Sequence, residues 1–252
     1  MSILDLLPRA IANRWARGHL KHTYLFLLSP PFSGSTVIKE LLETSPAVSA
    51  FPTEGQWLPG LKNVLGTADR WERSKSIDWS RVRSIFDRYW DYRKPVLFEK
   101  SPPLLLRAEE LAKVFSPAKF LITMRNPYAQ AERRVRNGAS PRFAVEQWLL
   151  CARHQRQNLE ALPHYRFFTY EQLTEKTSSV LEEIVYYVPE LHGLNAEATF
   201  HARNITGKPI VGLRNLNDEK IARLSVQQID EITAALKPDV ELVRYFGYDL
   251  LA

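Results

Sequence analysis

The sequence predicts an α/β fold in three layers (α/β/α), with a mostly parallel central sheet of about five strands. Three observations predict it. Short apolar runs alternate with segments whose apolar residues recur at helical spacing. The runs are apolar almost throughout, as expected of strands covered on both faces. No internal repeat and no Pro/Gly/Ser-rich linker divides the 252 residues, so 1–252 is read as one domain, with 1–22 as an N-terminal helical extension.

The elements follow in chain order. MSILDLLPRAIANRWARGHLKH lacks the long apolar run and small-residue cleavage site of a signal peptide. It reads as a short amphipathic helix from Ile3 to Arg17, packed on the domain in preference to a membrane surface. Tyr24–Leu28 is the first strand, and Val37, Ile38, Leu41 and Leu42 stripe the first core helix. Ala47–Phe51 is a weaker strand. Asp78 caps a helix whose Val82, Ile85, Phe86 and Tyr89 share one face. Pro95–Phe98 and Lys119–Met124 are strands, and a basic helix carries Arg133, Arg134 and Arg136. Ala144, Trp148, Cys151, Gln155, Leu159 and Leu162 step at a helical period with one polar gap. Tyr165–Tyr170 is the last strand. Ser225 and Gln228 form a capping box ahead of Ile229, Ile232 and Leu236, and Pro238 stops that helix.

Composition bounds the function. With 45% apolar and 25% charged residues, the chain is neither a disordered tail nor a low-complexity scaffold. It carries 34 Lys+Arg against 28 Asp+Glu, a net charge of +6. That excess is too mild for a nucleic-acid-binding tail, and fits either an anionic ligand or solubility alone. One cysteine, Cys151, excludes an intrachain disulfide and a Cys-based zinc site. It is compatible with a reducing, cytoplasmic setting. No stretch approaches the ~18 apolar residues of a membrane span. The six histidines show no catalytic or metal-ligand spacing, so no metal is expected.

Ligands of such sheets bind beyond the carboxyl ends of the strands. The first strand runs into Ser29-Pro30-Pro31-Phe32-Ser33-Gly34-Ser35-Thr36 and then a helix. Gly34 permits tight backbone curvature. Successive N–H groups of such a turn and the helix N-terminus make a phosphate cradle, to which Ser33, Ser35 and Thr36 add hydroxyls. The spacing and lysine of a Walker A loop are absent. A plain Ser/Thr-capped turn is the alternative reading.

Pro-x-Ser-Gly-Ser-Thr after a first strand resembles the 5′-phosphosulfate loop of sulfotransferases that use 3′-phosphoadenosine 5′-phosphosulfate (PAPS). The stretch up to Ser45-Pro46 and Glu54 is similar to the Golgi and bacterial branch, including tyrosylprotein sulfotransferases. Glu99-Lys100-Ser101-Pro102 resembles the family's Lys-x-Pro segment. KFLITMRNPY, residues 119–128, resembles its strand ending in Arg-[Asp/Asn]-Pro. FFTYEQL, residues 167–173, resembles its Tyr-Glu-x-Leu segment, and Phe246-Gly247-Tyr248 its usual ending. These segments keep the family's order over residues 23 to 248.

The resemblance implies a P-loop-containing nucleotide hydrolase-like fold and sulfuryl transfer from PAPS to a hydroxyl or amine, with 3′-phosphoadenosine 5′-phosphate (PAP) as product. It assigns the 5′-phosphate and sulfate to the amides of Ser33, Gly34, Ser35 and Thr36. It assigns the transferred group to Lys100, the base to Glu54 and the 3′-phosphate to Arg125. Arg133 stands where the family usually has serine and is a second phosphate candidate. Tyr170 matches a tyrosine beside the adenine. Lys208, with Arg203 and Arg214, is a candidate for a late basic loop over the 3′-phosphate. The family has Lys or Arg directly before Ser-Gly; this chain has Phe32.

The expected partner is a small-molecule, glycan or peptide acceptor, with no nucleic acid. Trp57, Trp71, Trp79 and Trp90 are either its wall or helix-packing residues. Two other classes remain open: a non-catalytic PAP- or PAPS-binding module, and a P-loop-type small-molecule kinase using ATP and Mg²⁺.

Overall fold

Strand β1 (Thr23–Leu28) is buried along its whole length, which its unbroken apolar run requires. In the computed structural model, which describes residues 11, 13–199 and 212–251, it sits at the centre of a five-stranded sheet. Its companions are β2 (Val48–Ala50), β3 (Val96–Glu99), β4 (Ala118–Met124) and β5 (Tyr165–Thr169), in the order β2-β3-β1-β4-β5. Every pairing is parallel, with Leu25 opposite Phe98 on one side and Lys119 on the other.

Alternate residues of β1 serve different cores, as the period of a strand demands. Tyr24, Phe26 and Leu28 join Leu97, Phe120 and Ile122 in one cluster. It is covered by α1 (residues 13–19), α3 (Trp79–Tyr89), α4 (Ala108–Val114) and α6 (Pro141–Ala161). Leu25 and Leu27 join Phe98, Leu121 and Phe168 in the other. That face is covered by α2 (Ser35–Leu42) and α8 (Thr177–Tyr187). A third cluster packs α5 (Pro127–Arg136) and α6 against α10 (Val226–Leu236) and α11 (Val240–Tyr245), with Phe246 and Tyr248 near Trp148. No described helix is long and apolar enough to cross a membrane.

Local signals place the boundaries. The Asp78 carboxylate accepts from the Arg81 N–H at the start of α3. The Ser225 and Gln228 capping box starts α10, and the helix ends at Leu236, ahead of Pro238. The expected strand end at Tyr170 is corrected by one residue. Thr169 and Gln172 form a capping box, so Tyr170 opens α7 (Tyr170–Glu175). Of the N-terminal helix expected from Ile3 to Arg17, residues 13–17 are helical and 3–10 and 12 lie outside the described residues. Gln155, the polar residue of the α6 stripe, is buried. Its amide donates to the carbonyls of Leu28 (2.7 Å) and Thr123 (3.2 Å), tying α6 to the carboxyl ends of β1 and β4.

The chain leaves β1 toward β2 and leaves β4 toward β5, on opposite sides of β1. The crevice between β1 and β4 is therefore the topological switch point, where open parallel sheets bind ligands.

Candidate active site

The loop after β1 wraps this crevice. Gly34 has φ 86° and caps α2 in the left-handed conformation. Phe32 also has a positive φ, 65°, an uncommon state for a bulky residue. Its cost is offset by what the turn arranges. The Phe32 carbonyl accepts from Arg125 Nη1 at 3.2 Å, which joins the two loops across the switch point. The Ser33 hydroxyl donates to Gln130 Oε1 of α5 at 3.2 Å. The N–H groups of Ser35 and Thr36 belong to the first turn of α2 and have no carbonyl to meet within the helix.

Lys100 follows β3 and is only 7% exposed. Its Nζ lies 3.4 Å from Ser35 Oγ, 3.2 Å from Thr36 Oγ1 and 3.2 Å from Glu54 Oε1. One ammonium group thus joins the head of the loop to the carboxylate after β2. Glu54 Oε2 accepts from Gln56 Nε2 at 2.6 Å. Beyond Gln56 lies a hollow lined also by Ser101, Leu104, Arg70 and Lys75.

Glu99, the last residue of β3, holds this segment in place. Its Oε1 accepts the Gly55 N–H at 3.0 Å and the Ser101 hydroxyl. Burial pushes its carboxyl up to about 7, and the charge of Glu54 adds to that. The sequence marks Glu99 as a charge closing an apolar run, a signal read only as part of a motif.

Arg125 ends β4 and is 3% exposed. Its Nε donates to Asn217 Oδ1 at 2.8 Å, and its guanidinium lies 3.8 Å from the centre of the Tyr170 ring. Glu171 gathers the surroundings, accepting from the Asn126 N–H, Asn217 Nδ2 and the Tyr248 hydroxyl. The remaining nitrogen, Arg125 Nη2, is buried with no hydrogen-bond partner among the described residues, a state that proteins rarely leave standing.

Tyr170 is buried between Arg125 and the loop, and its Cδ2 would touch any side chain at position 34. Its hydroxyl donates to the Arg214 carbonyl at 3.0 Å. The ring lies between the Arg125 guanidinium and Gly34. Arg133 is half-buried on α5 and adds positive charge at Lys220. Arg203 and Lys208 lie outside the described residues. The Arg214 side chain is exposed and pairs with Glu219.

Of the four tryptophans, Trp90 is fully buried and donates to the Phe98 carbonyl. Trp79 donates to Glu110 and Trp71 packs on the same core. The packing reading holds for these three, and only Trp57 is exposed. Phe32 is also exposed, with the Arg134 guanidinium over its ring at 5.3 Å.

Comparisons with known proteins bear on the family and the fold. The sulfotransferase family model matches residues 25–189. No curated protein matches the chain. Among solved structures, the chain is similar to the sulfotransferase domain from the Synechococcus PCC 7002 olefin synthase. That pair has a TM-score of 0.59 and 19% identity, over 92% of this chain and 96% of that one. The sulfotransferase domain from the curacin biosynthetic pathway gives 0.57 and 18%, over 92% and 99%. A mouse sulfotransferase complexed with PAP gives 0.53 and 13%, over 89% and 88%. The fold these share with the chain is the P-loop-like α/β fold.

Proposed function

The chain belongs to the sulfotransferase family, and from that premise we propose that it moves a sulfuryl group from PAPS to a hydroxyl or amine acceptor by in-line transfer. The observation that carries this reading is the meeting of Lys100 with Ser35, Thr36 and Glu54. A phosphate-type cradle, a cation and a carboxylate stand within one hydrogen-bonded cluster.

In the reaction, the amides of residues 33–36 hold the 5′-phosphate and sulfate. Glu54 takes the proton of the acceptor as its oxygen or nitrogen bonds to sulfur. The bond from sulfur to the bridging oxygen breaks, and its electron pair leaves with PAP. Lys100 stabilises the charge that gathers on that oxygen, a type of contact worth roughly 100- to 1000-fold in rate. With Phe32 in place of the family's loop cation, Lys100 carries this role without a loop partner. The acceptor docks where the Glu54 carboxylate comes within hydrogen-bond reach of its proton. Arg125 holds the 3′-phosphate through Nη2, and Arg133 lies on the same side. Alignment and charge stabilisation supply most of the acceleration, as in phosphoryl transfer. The carboxylate after β2 favours kinship with the Golgi and bacterial branch, and the lone cysteine a reducing compartment such as the cytoplasm.

Thermal unfolding with nucleotides tests the reading. PAP raises the melting temperature, and ATP with Mg²⁺ does not. Stabilisation by ATP with no effect of millimolar PAP would instead favour a small-molecule kinase. Arg125→Ala weakens PAP binding more than Glu54→Ala does, since only the arginine touches the nucleotide's far end. Equal losses would remove the assigned roles. Binding of PAPS without turnover over a panel of alcohols, phenols and amines would favour a non-catalytic binding module.

A further inference from the structure

We propose that the N-terminal helix docks the protein on an anionic lipid bilayer, with Ile11 and Trp15 entering the interface and Arg14, Arg17 and Lys21 meeting the lipid head groups. This surface lies apart from the residues assigned to sulfuryl transfer.

Helix α1 packs on the domain by a narrow face. Asn13 and Ala16 are buried. The Asn13 amide donates to the Trp90 carbonyl at 2.7 Å, and its oxygen accepts the Tyr92 N–H at 3.0 Å. Arg17 pairs with Asp87 at 2.8 Å. These contacts fix which face is left over. Residue 11 is helical as well, and Ile11 and Trp15 stand four residues apart, on one side of the helix. They are 71% and 60% exposed. Single exposed apolar side chains are ordinary. Here two stand at helical spacing on a helix pinned so that neither can turn inward. His19 stacks on the Trp15 ring with centroids 4.7 Å apart and bonds to the Trp15 carbonyl, which holds the indole in place. Leu20, just past the helix, is exposed too. By sequence alone, Leu4 and Leu7 precede Ile11 by seven and four residues, the spacing of the same face.

The charges around this face have one sign. Arg14 and Lys21 are exposed and form no ion pair among the described residues, and Arg17 is exposed beside them. No Asp or Glu lies between residues 11 and 22. The acids of the segment beneath, Asp87 and Asp91, are largely buried and held by arginines: Asp87 by Arg17 and Arg83, Asp91 by Arg93. An exposed tryptophan flanked by cations suits a helix lying in the plane of a bilayer, its indole at head-group level and its cations on the phosphates. A second copy of the chain would instead bring the same positive charges against one another. The helix leads into the amino end of β1, and its anchors Trp90 and Tyr92 precede β3. The loop after β1, Lys100 and Arg125 lie at the opposite, carboxyl ends of the strands, so a docked molecule keeps them turned toward the aqueous phase.

Co-sedimentation of the full chain with lipid vesicles tests the proposal. Vesicles of phosphatidylcholine with phosphatidylglycerol carry the protein down, pure phosphatidylcholine carries much less, and added salt weakens the binding. Two double variants separate the contributions. Ile11→Ser with Trp15→Ser, and Arg14→Glu with Lys21→Glu, each weaken binding to the anionic vesicles at least roughly tenfold. Both leave the melting temperature of the lipid-free protein near the wild-type value, since the altered side chains are exposed. Absence of wild-type binding to anionic vesicles overturns the proposal and leaves the face to a protein partner. Unchanged binding in either double variant overturns it as well, and so does equal binding to neutral vesicles. A wild-type dimer in lipid-free light scattering that Ile11→Ser with Trp15→Ser disperses also overturns it, because the face then belongs to a second copy.

Discussion

Gly34 is the position where the smallest change should do the most harm. Its φ of 86° lies in the left-handed region, where a Cβ is disfavoured. A Cβ there would also stand 2.8 Å from Tyr170 Cδ2. Relief requires moving either the loop amides or the ring that carries Arg125 on its face. Gly34→Ala should therefore weaken PAP by roughly 10- to 100-fold, the strain range of such a site, and lower the melting temperature of the free protein as well. Titration calorimetry checks this, and unchanged affinity would mean that the loop does not grip the nucleotide. Phe32 pairs with it in a different way. Its backbone serves Arg125 through the carbonyl, while its side chain stacks under Arg134. The backbone contact of the turn with Arg125 thus does not depend on the side chain at position 32.

Between β2 and α3 the important unit is the short segment that presents Glu54, clamped from β3 by Glu99. Burial holds the Glu99 carboxyl near 7, against 4.5 for an exposed one. The folded chain binds more proton than the unfolded chain between these values. The stability tied to Glu99 is therefore full below about 4.5 and is lost as pH rises through about 7. Glu99→Gln removes that loss. Relative to the wild type, it should gain about 2–3 kcal/mol on going from pH 5 to pH 8. Denaturant unfolding at the two pH values measures the difference, and identical pH dependence would show that Glu99 titrates as an exposed group. Elements of this kind were only partly legible. The five strands lie within one residue of their expected ends, and β1 and β3 show why: a fully buried parallel strand leaves an unbroken apolar run. Helices α3 and α10 announced themselves by cap and stripe. Short pieces such as α9 (Asn217–Ile221), with five residues, carry too little periodicity to show. Tyr170 was read into a strand because its apolar run outweighed the Thr169–Gln172 capping box that ends it.

At the scale of the whole molecule, the strand order converts a linear sequence into a site. The loop after β1, the lysine after β3 and the arginine after β4 are far apart in the chain. They converge because parallel strands deliver their carboxyl ends to one edge of the sheet. That logic pointed to the loop after β1 from sequence, and the resemblance to a family added Glu54, Lys100 and Arg125, which the sheet brings to the same edge. Asn217 was not readable, since tertiary packing of α9 against α5 alone brings it to Arg125. Gln155 escaped for the same reason: its amide caps two strand ends that only the sheet makes neighbours. The same geometry makes one measurement decisive. A crystal structure of the complex with PAP should show the 5′-phosphate on the amides of residues 33–36 and the 3′-phosphate on Arg125 Nη2. A nucleotide bound elsewhere, or a guanidinium of Arg125 turned from the 3′-phosphate, would contradict the account.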